Sequence, residues 1–383
     1  MSVAEAPGSE AALCEAIAAA HAAREPIAIE GHGTKRAMLR PVQAARLLST
    51  RGLSGITLYR PAELVISARA GTPLPEIEAA LAEHRQMLIA EPPDPRPLFG
   101  GELPATLGGV VAANLSGPRR IAWGGMRDHV LGIRAITGDG QLFRSGGRVL
   151  KNVTGLDLCK LLTGSFGTLG VLTEITLKVL PAPEATVTLA VEVPDIAAGV
   201  AVLSAGLGSP FGVTGAALWG GRALLRLEEV AESVRYRAGR LQALLAAHGP
   251  VRLIEAEESR ALWRAIRDGQ ALAAAQEEAI WRISIAPSEA PRVAAALPWA
   301  RLLFDWGGGL IWVAGPAEVA RHRAVVAAAA GGSWMLFRAP DALRAAVEVI
   351  PPDPPALAAI SARVKAVFDP AGVLNPGRMR AGG

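Results

Sequence analysis

Glycines at fixed places between residues 106 and 173 constrain this chain more than any other feature of its sequence. The stretch begins at Thr106-Leu107-Gly108-Gly109, continues through Asn114-Leu115-Ser116-Gly117, and closes at Gly164-Ser165-Phe166-Gly167-Thr168-Leu169-Gly170-Val171. Such glycines mark backbone that turns tightly or lies against another group, because a Cβ would clash there. The small and hydroxylated residues between them leave backbone N–H groups that can face a phosphate or a ring edge. We interpret the stretch as a set of loops that cradles a cofactor.

A second glycine loop follows an early strand. Pro26-Ile27-Ala28-Ile29 predicts a short buried strand that leads directly into Gly31-His32-Gly33-Thr34-Lys35. A strand followed by glycines is typical of phosphate-binding loops, although the third glycine of a GxGxxG motif is absent. Backbone amides of this loop are candidates to face a diphosphate, and the alternative is a plain strand-to-turn connection. Lys35 and Arg36 either add positive charge to the loop or face solvent.

The order and spacing of these segments resemble the FAD-binding domain of the vanillyl-alcohol oxidase/p-cresol methylhydroxylase (PCMH-type) flavoprotein superfamily. The most similar branch is that of the D-lactate dehydrogenases and glycolate oxidases. The resemblance covers the first half of the chain and its C-terminal tail. It implies an α+β fold, with a PCMH-type FAD-binding domain of two α+β subdomains followed by a smaller α+β cap domain with an antiparallel sheet. It also implies FAD as the cofactor.

The resemblance assigns roles to individual positions. Residues of the family's pyrophosphate loop correspond here to Gly31, His32, Gly33, Thr34 and Lys35. The segment that wraps the pyrophosphate and ribityl chain corresponds to Thr106, Leu107, Gly108, Gly109, Asn114, Ser116 and Gly117. The adenine-side strand corresponds to Gly164, Gly167, Gly170 and Val171, and the tail that the family brings close to the flavin ring corresponds to Asn375 and Arg378. Each segment also has a purely structural interpretation, as a turn packed against a helix or strand.

Two histidines lie near these loops. Some members of the superfamily attach the flavin covalently through a histidine in the first loop, and that histidine corresponds to Thr34 rather than to His32. We therefore expect non-covalent FAD. His129, which follows Asp128, is either a flavin contact or a structural histidine.

The character of the sequence changes from about residue 184, where the glycine loops become sparse. A strand predicted over 169–180 stops at Pro181-Ala182-Pro183, where we place the main boundary. The expected domains are 1–183 for FAD binding, 184–365 for the cap, and 366–383 for a C-terminal return to the FAD domain. Further expected elements are a hairpin over 130–143 turning at Asp139-Gly140, cap helices over 231–248, 257–278 and 317–330, and cap strands over 280–285 and 310–313.

The predicted cap lacks a motif that hydroxy-acid-oxidising members of this branch carry. In those proteins a His-x-Gly-Asp-Gly-Asn-x-His type motif and an acidic partner hold a divalent metal that helps to bind the substrate and take its proton. Here His248 and His322 are the cap's histidines, and neither has another histidine at ligand spacing. We therefore predict no metal site and assign no catalytic residue.

This profile resembles the FAD-binding subunits of bacterial glycolate oxidase, which have a similar length and a shortened cap. The resemblance implies a FAD-dependent oxidoreductase acting on CH–OH groups, within a complex that oxidises glycolate, a small 2-hydroxy acid, to glyoxylate. The implied partners are a larger catalytic FAD subunit, which would carry the substrate chemistry, and an iron–sulfur subunit. Two alternatives stay open. One is a self-sufficient FAD-dependent 2-hydroxy-acid dehydrogenase, and the other is a non-redox assembly subunit that keeps the fold.

Composition argues against several other classes of protein. The net charge of +4 arises from scattered single arginines, so no nucleic-acid partner is expected. Cys14 and Cys159 lie far apart and outside any CxxC, which argues against an iron–sulfur cluster or a structural zinc. The N-terminus lacks the layout of a signal peptide and no long apolar run follows, so we expect a cytoplasmic protein that reaches the inner membrane only through partners.

Overall fold

The structure, a computed structural model, describes residues 4–147 and 156–381. The chain divides into two units. Unit 1 comprises Met1–Leu115, Gly125–Pro181 and Pro352–Gly383, and unit 2 comprises Ser116–Gly124 and Ala182–Pro351. Both units combine helices with antiparallel sheets, which confirms the predicted α+β class.

The helices of the described residues are α1 (Glu10–Ala23), α2 (Leu74–Glu83), α3 (Arg96–Phe99), α4 (Leu107–Ala112), α5 (Arg120–Trp123), α6 (Met126–His129), α7 (Leu158–Leu162), α8 (Ile196–Leu207), α9 (Ala231–Leu245), α10 (Ala256–Arg267), α11 (Ala290–Ala296), α12 (Val319–Ala328), α13 (Asp341–Ala346) and α14 (Pro355–Phe368). Among these described residues, no helix combines the length and the apolar character needed to cross a bilayer.

The strands are β1 (Ile27–Glu30), β2 (Arg46–Ser49), β3 (Ile56–Arg60), β4 (Val65–Arg69), β5 (Gln86–Met87), β6 (Val130–Ile136), β7 (Leu142–Gly146), β8 (Val171–Lys178), β9 (Leu180–Pro181), β10 (Ala185–Glu192), β11 (Gly215–Trp219), β12 (Arg222–Glu229), β13 (Val251–Glu255), β14 (Ala279–Ser284), β15 (Arg301–Asp305), β16 (Leu310–Gly315) and β17 (Ser333–Arg338).

The main sheet of unit 1 has the order β3-β4-β8-β6-β7 and is antiparallel throughout. Its β6–β7 hairpin confirms the one predicted over 130–143, and the N–H of Gly140 donates to the carbonyl of Thr137 at 3.0 Å in the turn. The strand predicted over 169–180 is also present, as β8 followed by the short β9. The glycine segment 164–170 leads directly into β8 of this sheet.

A second layer of unit 1 forms around the parallel pair β1–β2. Helix α1 begins after Ser9, whose hydroxyl accepts the N–H of Ala12 at 3.2 Å and so caps the helix. Its buried Leu13 and Ile17 join an apolar cluster that also contains Leu374 from the C-terminal tail. The tail therefore completes the core of unit 1, and β1 is bridged to it in parallel at Leu374.

Unit 2 is built on an eight-stranded antiparallel sheet of order β13-β10-β12-β11-β15-β16-β14-β17. Strands β14 and β16 and helices α9 and α12 occupy the places predicted for them within a few residues. The helix predicted over 257–278 was wrong, because α10 ends at Arg267. Gly269 takes the left-handed conformation with φ of 67°, which terminates a helix readily, and β14 begins at Ala279.

The boundaries of the units differ from the expected domains in two places. The chain enters unit 2 at Ala182, next to the predicted boundary, but it returns to unit 1 at Pro352 rather than at 366. Helix α14 therefore belongs to unit 1. Residues 116–124, expected in the FAD domain, belong to unit 2, and this places Ser116 and Gly117 there.

A buried ion pair explains why the short segment 116–124 joins unit 2. The guanidinium of Arg119 donates from Nε and Nη2 to the Glu228 carboxylate, at 3.0 and 2.7 Å. Thr214 Oγ1 donates to the same carboxylate at 2.9 Å, and Arg226 Nε lies 3.3 Å from it. Glu228 is only 3% exposed, so this carboxylate depends on its cationic neighbours to remain charged.

We expect Glu228→Gln to lower the free energy of unfolding by about 3 kcal/mol, because it leaves two arginines beside a neutral amide in a buried site. The measurement is denaturant-induced unfolding followed by circular dichroism and tryptophan fluorescence. Glu257→Gln is the matched control, since that carboxylate pairs with Arg260 and Arg264 on the exposed surface of α10. Equal shifts of the unfolding midpoint in the two variants would contradict a structural role for the Glu228 pair.

Candidate functional site

Loop 31–35, which follows β1, lies against the first turn of α4. A Cβ built on Gly31 would lie 2.1 Å from Thr106 Oγ1, so no larger residue fits at this position. The carbonyl of Gly31 accepts a hydrogen bond from Ser49 Oγ at 2.7 Å, which fixes the loop from its other side. Thr106 caps α4 by accepting the N–H of Gly109 at 3.4 Å. Two of the predicted glycine segments therefore meet, as the interpretation of a shared cradle requires.

The side chains of this loop face in different directions. His32 Nδ1 lies 2.9 Å from the carbonyl of Pro104 and, since a carbonyl only accepts, the ring carries a proton there. Arg36 forms a double hydrogen bond with Glu30, with Nε 2.6 Å from Oε2, and is exposed. Lys35 instead places its ammonium 3.1 Å from Thr34 Oγ1, within the protein. Of the two cations that the sequence left equivalent, the one turned inward is Lys35.

Lys35 is a half-buried cation beside α4. Among the described residues it pairs with no carboxylate. Burial, and then the nearby Arg378, lower the pKa of Lys35 to about 8. A Cβ on Gly109 would lie 3.3 Å from the ammonium nitrogen, so glycine leaves room beside this charge. The first-turn N–H groups of Leu107, Gly108 and Gly109 are already bonded, to Thr72, Ala70 and Thr106. The ammonium of Lys35, which has no carboxylate partner among the described residues, is therefore the group that favours an anion here.

The C-terminal tail joins β1 to the loop that contains Phe166 and Gly167. Asn375 accepts the N–H of Ile29 through Oδ1 at 2.8 Å and donates from Nδ2 to the carbonyl of Phe166 at 2.9 Å. Gly167 has φ of 70°, and a Cβ there would lie 2.7 Å from Nδ2 of Asn375. Both ends of the amide are engaged with the protein, so Asn375 fixes β1 against the loop at Phe166.

Arg378 holds loop 31–35 and the residues after it through their backbone carbonyls. Its guanidinium donates to the carbonyls of Lys35, Arg36 and Arg40, at 2.6, 3.2 and 3.4 Å. Because one planar guanidinium binds all three backbone carbonyls, it fixes the path of the chain that carries Lys35. Arg378 therefore contributes positive charge to the cradle and shapes the loop at the same time.

The remaining predicted residues of unit 1 lie around this cradle. Leu107 and Gly108 are buried in the first turn of α4, and a Cβ on Gly108 would lie 2.7 Å from the Cβ of Ala70. Asn114 is exposed at the other end of α4, where its Oδ1 accepts the N–H of Arg127 at 3.1 Å. Gly164 donates its N–H to Val111 in α4 at 3.1 Å, so the adenine-side segment also reaches this helix.

Other predicted residues lie away from these contacts. Val171, preceded by Gly170, opens β8 opposite Ile136 and belongs to the apolar cluster of unit 1. Ser116 and Gly117 belong to unit 2, where the carbonyl of Gly117 accepts the indole N–H of Trp306 at 3.1 Å. The structure thus brings loop 31–35, α4, loop 164–167 and the tail together within unit 1, and it assigns residues 116–117 to the other unit.

Several supporting residues escaped the sequence analysis. Ser49 and Pro104 hold loop 31–35, and no local pattern identifies either. Asp369 is 2% exposed and accepts the N–H groups of Val373 and Leu374 at 3.0 and 2.9 Å, which turns the tail into unit 1. The sequence Asp-Pro-Ala-Gly that begins at Asp369 is a turn signal that could have revealed this role.

Neither histidine of the predicted cap belongs to a metal-ligand arrangement among the described residues. His322 is 5% exposed, its Nδ1 accepts the indole N–H of Trp281 at 3.2 Å, and burial lowers the pKa of His322. In the described part of the chain, no group of three or more histidine, cysteine, aspartate or glutamate residues could hold a metal ion. His129 is buried at the end of α6.

The sequence matches the family model for an FAD binding domain over residues 2–146. It is 40% identical over 372 residues to the glycolate oxidase subunit GlcE of Escherichia coli (strain K12), which covers 97% of each chain. It is also 40% identical over 98 residues to the glycolate oxidase subunit GlcD of Bacillus subtilis (strain 168), covering 26% of this chain and 20% of that protein.

The fold resembles that of a solved structure of alkyldihydroxyacetonephosphate synthase. The TM-score is 0.68 at 16% sequence identity, and the match covers 97% of this chain and 76% of that one. At this identity the likeness concerns the fold alone.

We expect Gly31→Ala to destabilise the protein by about 1–3 kcal/mol, because the new methyl group overlaps Thr106. Thr106→Ala alone should cost about 1 kcal/mol through loss of the helix cap. The double variant should lose less than the sum of the two, since it removes the atoms that the methyl group meets. Urea unfolding of all three variants measures this coupling.

Gly239→Ala provides the control for the Gly31 variant, because a Cβ at that position on α9 meets no atom within 4 Å. It should leave the free energy of unfolding unchanged or slightly raised. Strict additivity of Gly31→Ala and Thr106→Ala would show that loop 31–35 does not press on Thr106.

Proposed function

The chain belongs to the family of the glycolate oxidase subunit GlcE, and from this premise we propose that it is the FAD-binding subunit of a complex that oxidises glycolate to glyoxylate. The identity of 40% along 97% of both chains carries the proposal. The partners in this proposal are a larger catalytic FAD subunit and an iron–sulfur subunit. The cap's lack of the family's histidine motif supports placing the substrate chemistry on the catalytic partner.

The residues of unit 1 fit FAD. Lys35 provides an ammonium that pairs with no carboxylate in the described part of the chain, beside Gly109, where the absent Cβ leaves room, and this suits the diphosphate. The backbone amides of loop 31–35 and the hydroxyl of Thr34 add neutral donors. Thr34 occupies the position of the histidine that some relatives use for covalent attachment, so FAD is held non-covalently in this proposal. When bound, FAD supplies the capacity to accept two electrons.

The tail would act by positioning. Asn375 holds the loop at Phe166 against β1, and Arg378 fixes the carbonyls of loop residues 35, 36 and 40. Neither side chain needs to touch the cofactor to affect its binding, because each controls the shape of the cradle. Lys35 is the residue of this set whose charge is available to a ligand.

Helix α14 supports the assignment to a complex. None of its fourteen residues is buried. Leu357, Ile360 and Val367 are 49%, 49% and 75% exposed, and their spacing with Val364 places them on one face of the helix. Exposed apolar side chains that line up along a helix are typical of a surface that another protein covers. In this proposal the catalytic partner covers α14.

We expect Lys35→Gln to weaken FAD binding by roughly tenfold to a hundredfold, because a charge-assisted hydrogen bond to the diphosphate is lost. Below pH 8 the ammonium is charged, and above its pKa of about 8 it loses its proton. The affinity of the unmodified protein should therefore fall as the pH rises through 8, by at most about tenfold per pH unit. Quenching of FAD fluorescence measures both effects.

Arg36→Gln is the control for Lys35→Gln, since Arg36 is exposed and already paired with Glu30. It should change FAD affinity by less than about threefold, as expected for an exposed charge. If Lys35→Gln retains the same pH dependence as the unmodified protein, the group that titrates near pH 8 is not Lys35.

We expect the purified chain to show a flavin absorption band that anaerobic glycolate does not bleach, because the substrate chemistry lies on the catalytic partner. Bleaching should occur once the partner subunits are added. Rapid bleaching of the chain alone would instead support the self-sufficient 2-hydroxy-acid dehydrogenase. Isolation of a folded chain that binds no flavin would support the non-redox assembly subunit.

Variants of α14 connect this test to the partner. Leu357→Ser combined with Ile360→Ser should prevent co-purification with the catalytic subunit while leaving FAD binding intact. Leu244→Ser is the matched control, since Leu244 is 42% exposed on α9 of unit 2. Unchanged co-purification of the α14 variant would mean that the partner docks elsewhere.

A further inference from the structure

Arg282 lies on the next-to-last strand of the sheet of unit 2, with a hydrogen-bonded strand on each side. It stands on β14, opposite Trp312 on β16 and Met335 on β17. Its neighbours Trp281 and Ile283 are completely buried. Because successive side chains of a strand point to opposite faces, Arg282 projects from the other face of the sheet. An arginine at this position needs an explanation, since a strand that is paired on both sides usually carries apolar residues.

The guanidinium of Arg282 is surrounded by aromatic rings. Its Cζ lies 5.0 Å from the ring centre of Trp312, 5.4 Å from that of Trp306 and 6.0 Å from that of Phe337. Its Nε is buried and has no hydrogen-bond partner among the residues that the structure describes. Within the described residues, the guanidinium pairs with no carboxylate. Burial, and then repulsion by Arg120, lower the pKa of Arg282 to about 10, so it remains charged at neutral pH.

A second arginine of unit 2 shares one of these rings. The Cζ of Arg120, on α5, lies 4.2 Å from the ring centre of Trp306. Arg120 is exposed, and its guanidinium also pairs with no carboxylate of the described residues. Two like charges that contact one indole repel each other, and an anion between their N–H groups would relieve that repulsion.

The backbone holds Trp306 in place against a conformational cost. Its φ is 53°, a left-handed value that bulky residues rarely adopt. The indole N–H donates to Gly117 at 3.1 Å, and the backbone N–H donates to Asp305 Oδ1 at 2.7 Å. Strained residues that several contacts over-determine are concentrated at binding sites. Here the fixed ring orients both guanidinium groups.

The local charge selects the class of ligand. Asp305 attracts Arg282 and is 3% exposed, so it offsets one of the two positive charges. One net positive charge remains, which matches a monoanion better than a phosphate dianion. A guanidinium stacked on aromatic faces keeps its N–H edge available, and that edge fits the two oxygens of a carboxylate.

We propose that Arg282 and Arg120, held by Trp306 and Trp312, form a binding site in unit 2 for a small monocarboxylate. The site goes beyond the proposed function, because it uses no residue of the FAD cradle and requires no turnover. Its occupant could be a substrate of the complex or a regulatory acid of the same class, and the binding chemistry is shared.

Isothermal titration of the full chain with glycolate tests the site directly. We expect saturable binding with a Kd on the order of 1 mM or tighter in a buffer free of other carboxylates. Glycolamide, the uncharged analogue, should bind at least about tenfold more weakly, since it lacks the charge that the arginines require. Inorganic phosphate that binds more tightly than glycolate would overturn the assignment to a monocarboxylate, and absence of glycolate binding would overturn the site.

Variants locate the binding. Arg282→Met and Arg120→Met should each weaken glycolate binding at least about tenfold, and Arg282→Lys should restore part of the loss. Arg240→Met, which removes an exposed positive charge from α9, is the control and should bind as the unmodified chain does. Circular dichroism and FAD binding verify that each variant is folded. A variant of Arg282 or Arg120 that is folded and binds glycolate normally would overturn the proposal, whatever the outcome of the flavin experiments.

Discussion

The amide of Asn375 is the interaction on which the site in unit 1 depends. It is 5% exposed and joins the N–H of Ile29 to the carbonyl of Phe166. Only a side chain that accepts at one atom and donates at another can satisfy both groups, so aspartate or leucine would leave a buried polar atom unpaired. Three residues further on, Arg378 holds the carbonyl of Lys35. The tail thus determines the shape of loops that precede it by most of the chain.

The glycine pattern predicted where side chains are excluded, but it could not predict what excludes them. Gly31 is glycine because Thr106 occupies the space of its Cβ, whereas Gly167 combines a left-handed backbone with close contact to Asn375. Both partners are distant in sequence, and their contacts exist only after the sheet has formed. Local rules therefore identify the loops of the cradle, while the residues that brace them, such as Ser49 and Asp369, follow from tertiary packing.

Contacts with residues distant in sequence also explain why the sequence left two interpretations of Lys35 and Arg36 open, and why residues 116–124 were assigned to the FAD domain. From the sequence, Lys35 and Arg36 are equal candidates for the residue that adds positive charge to the loop. In the structure Glu30 pairs with Arg36, so the candidate that remains is Lys35. The assignment of residues 116–124 to unit 2 depends on Glu228, more than a hundred residues later, as their bond at Arg119 shows. The end of α10, by contrast, was predictable from the local sequence, since Gly269 is a helix terminator that the prediction over 257–278 did not take into account.

Lys35 and Arg282 present the same physical problem in separate units. Each is a half-buried cation whose pKa is lowered by burial and by a neighbouring arginine, and neither pairs with a carboxylate of the described residues. A folded chain gains stability when an anion binds such a group, by an amount that grows with ligand concentration over Kd. Burying a charge without a carboxylate partner costs free energy, so removing the charge should stabilise the ligand-free chain. The same change should weaken the stabilisation that the ligand provides, because the ligand binds less tightly. A variant that is more stable than the unmodified chain without ligand, but gains less stability from the ligand, has lost a binding cation. Loss of a structural cation instead destabilises the protein both with and without ligand.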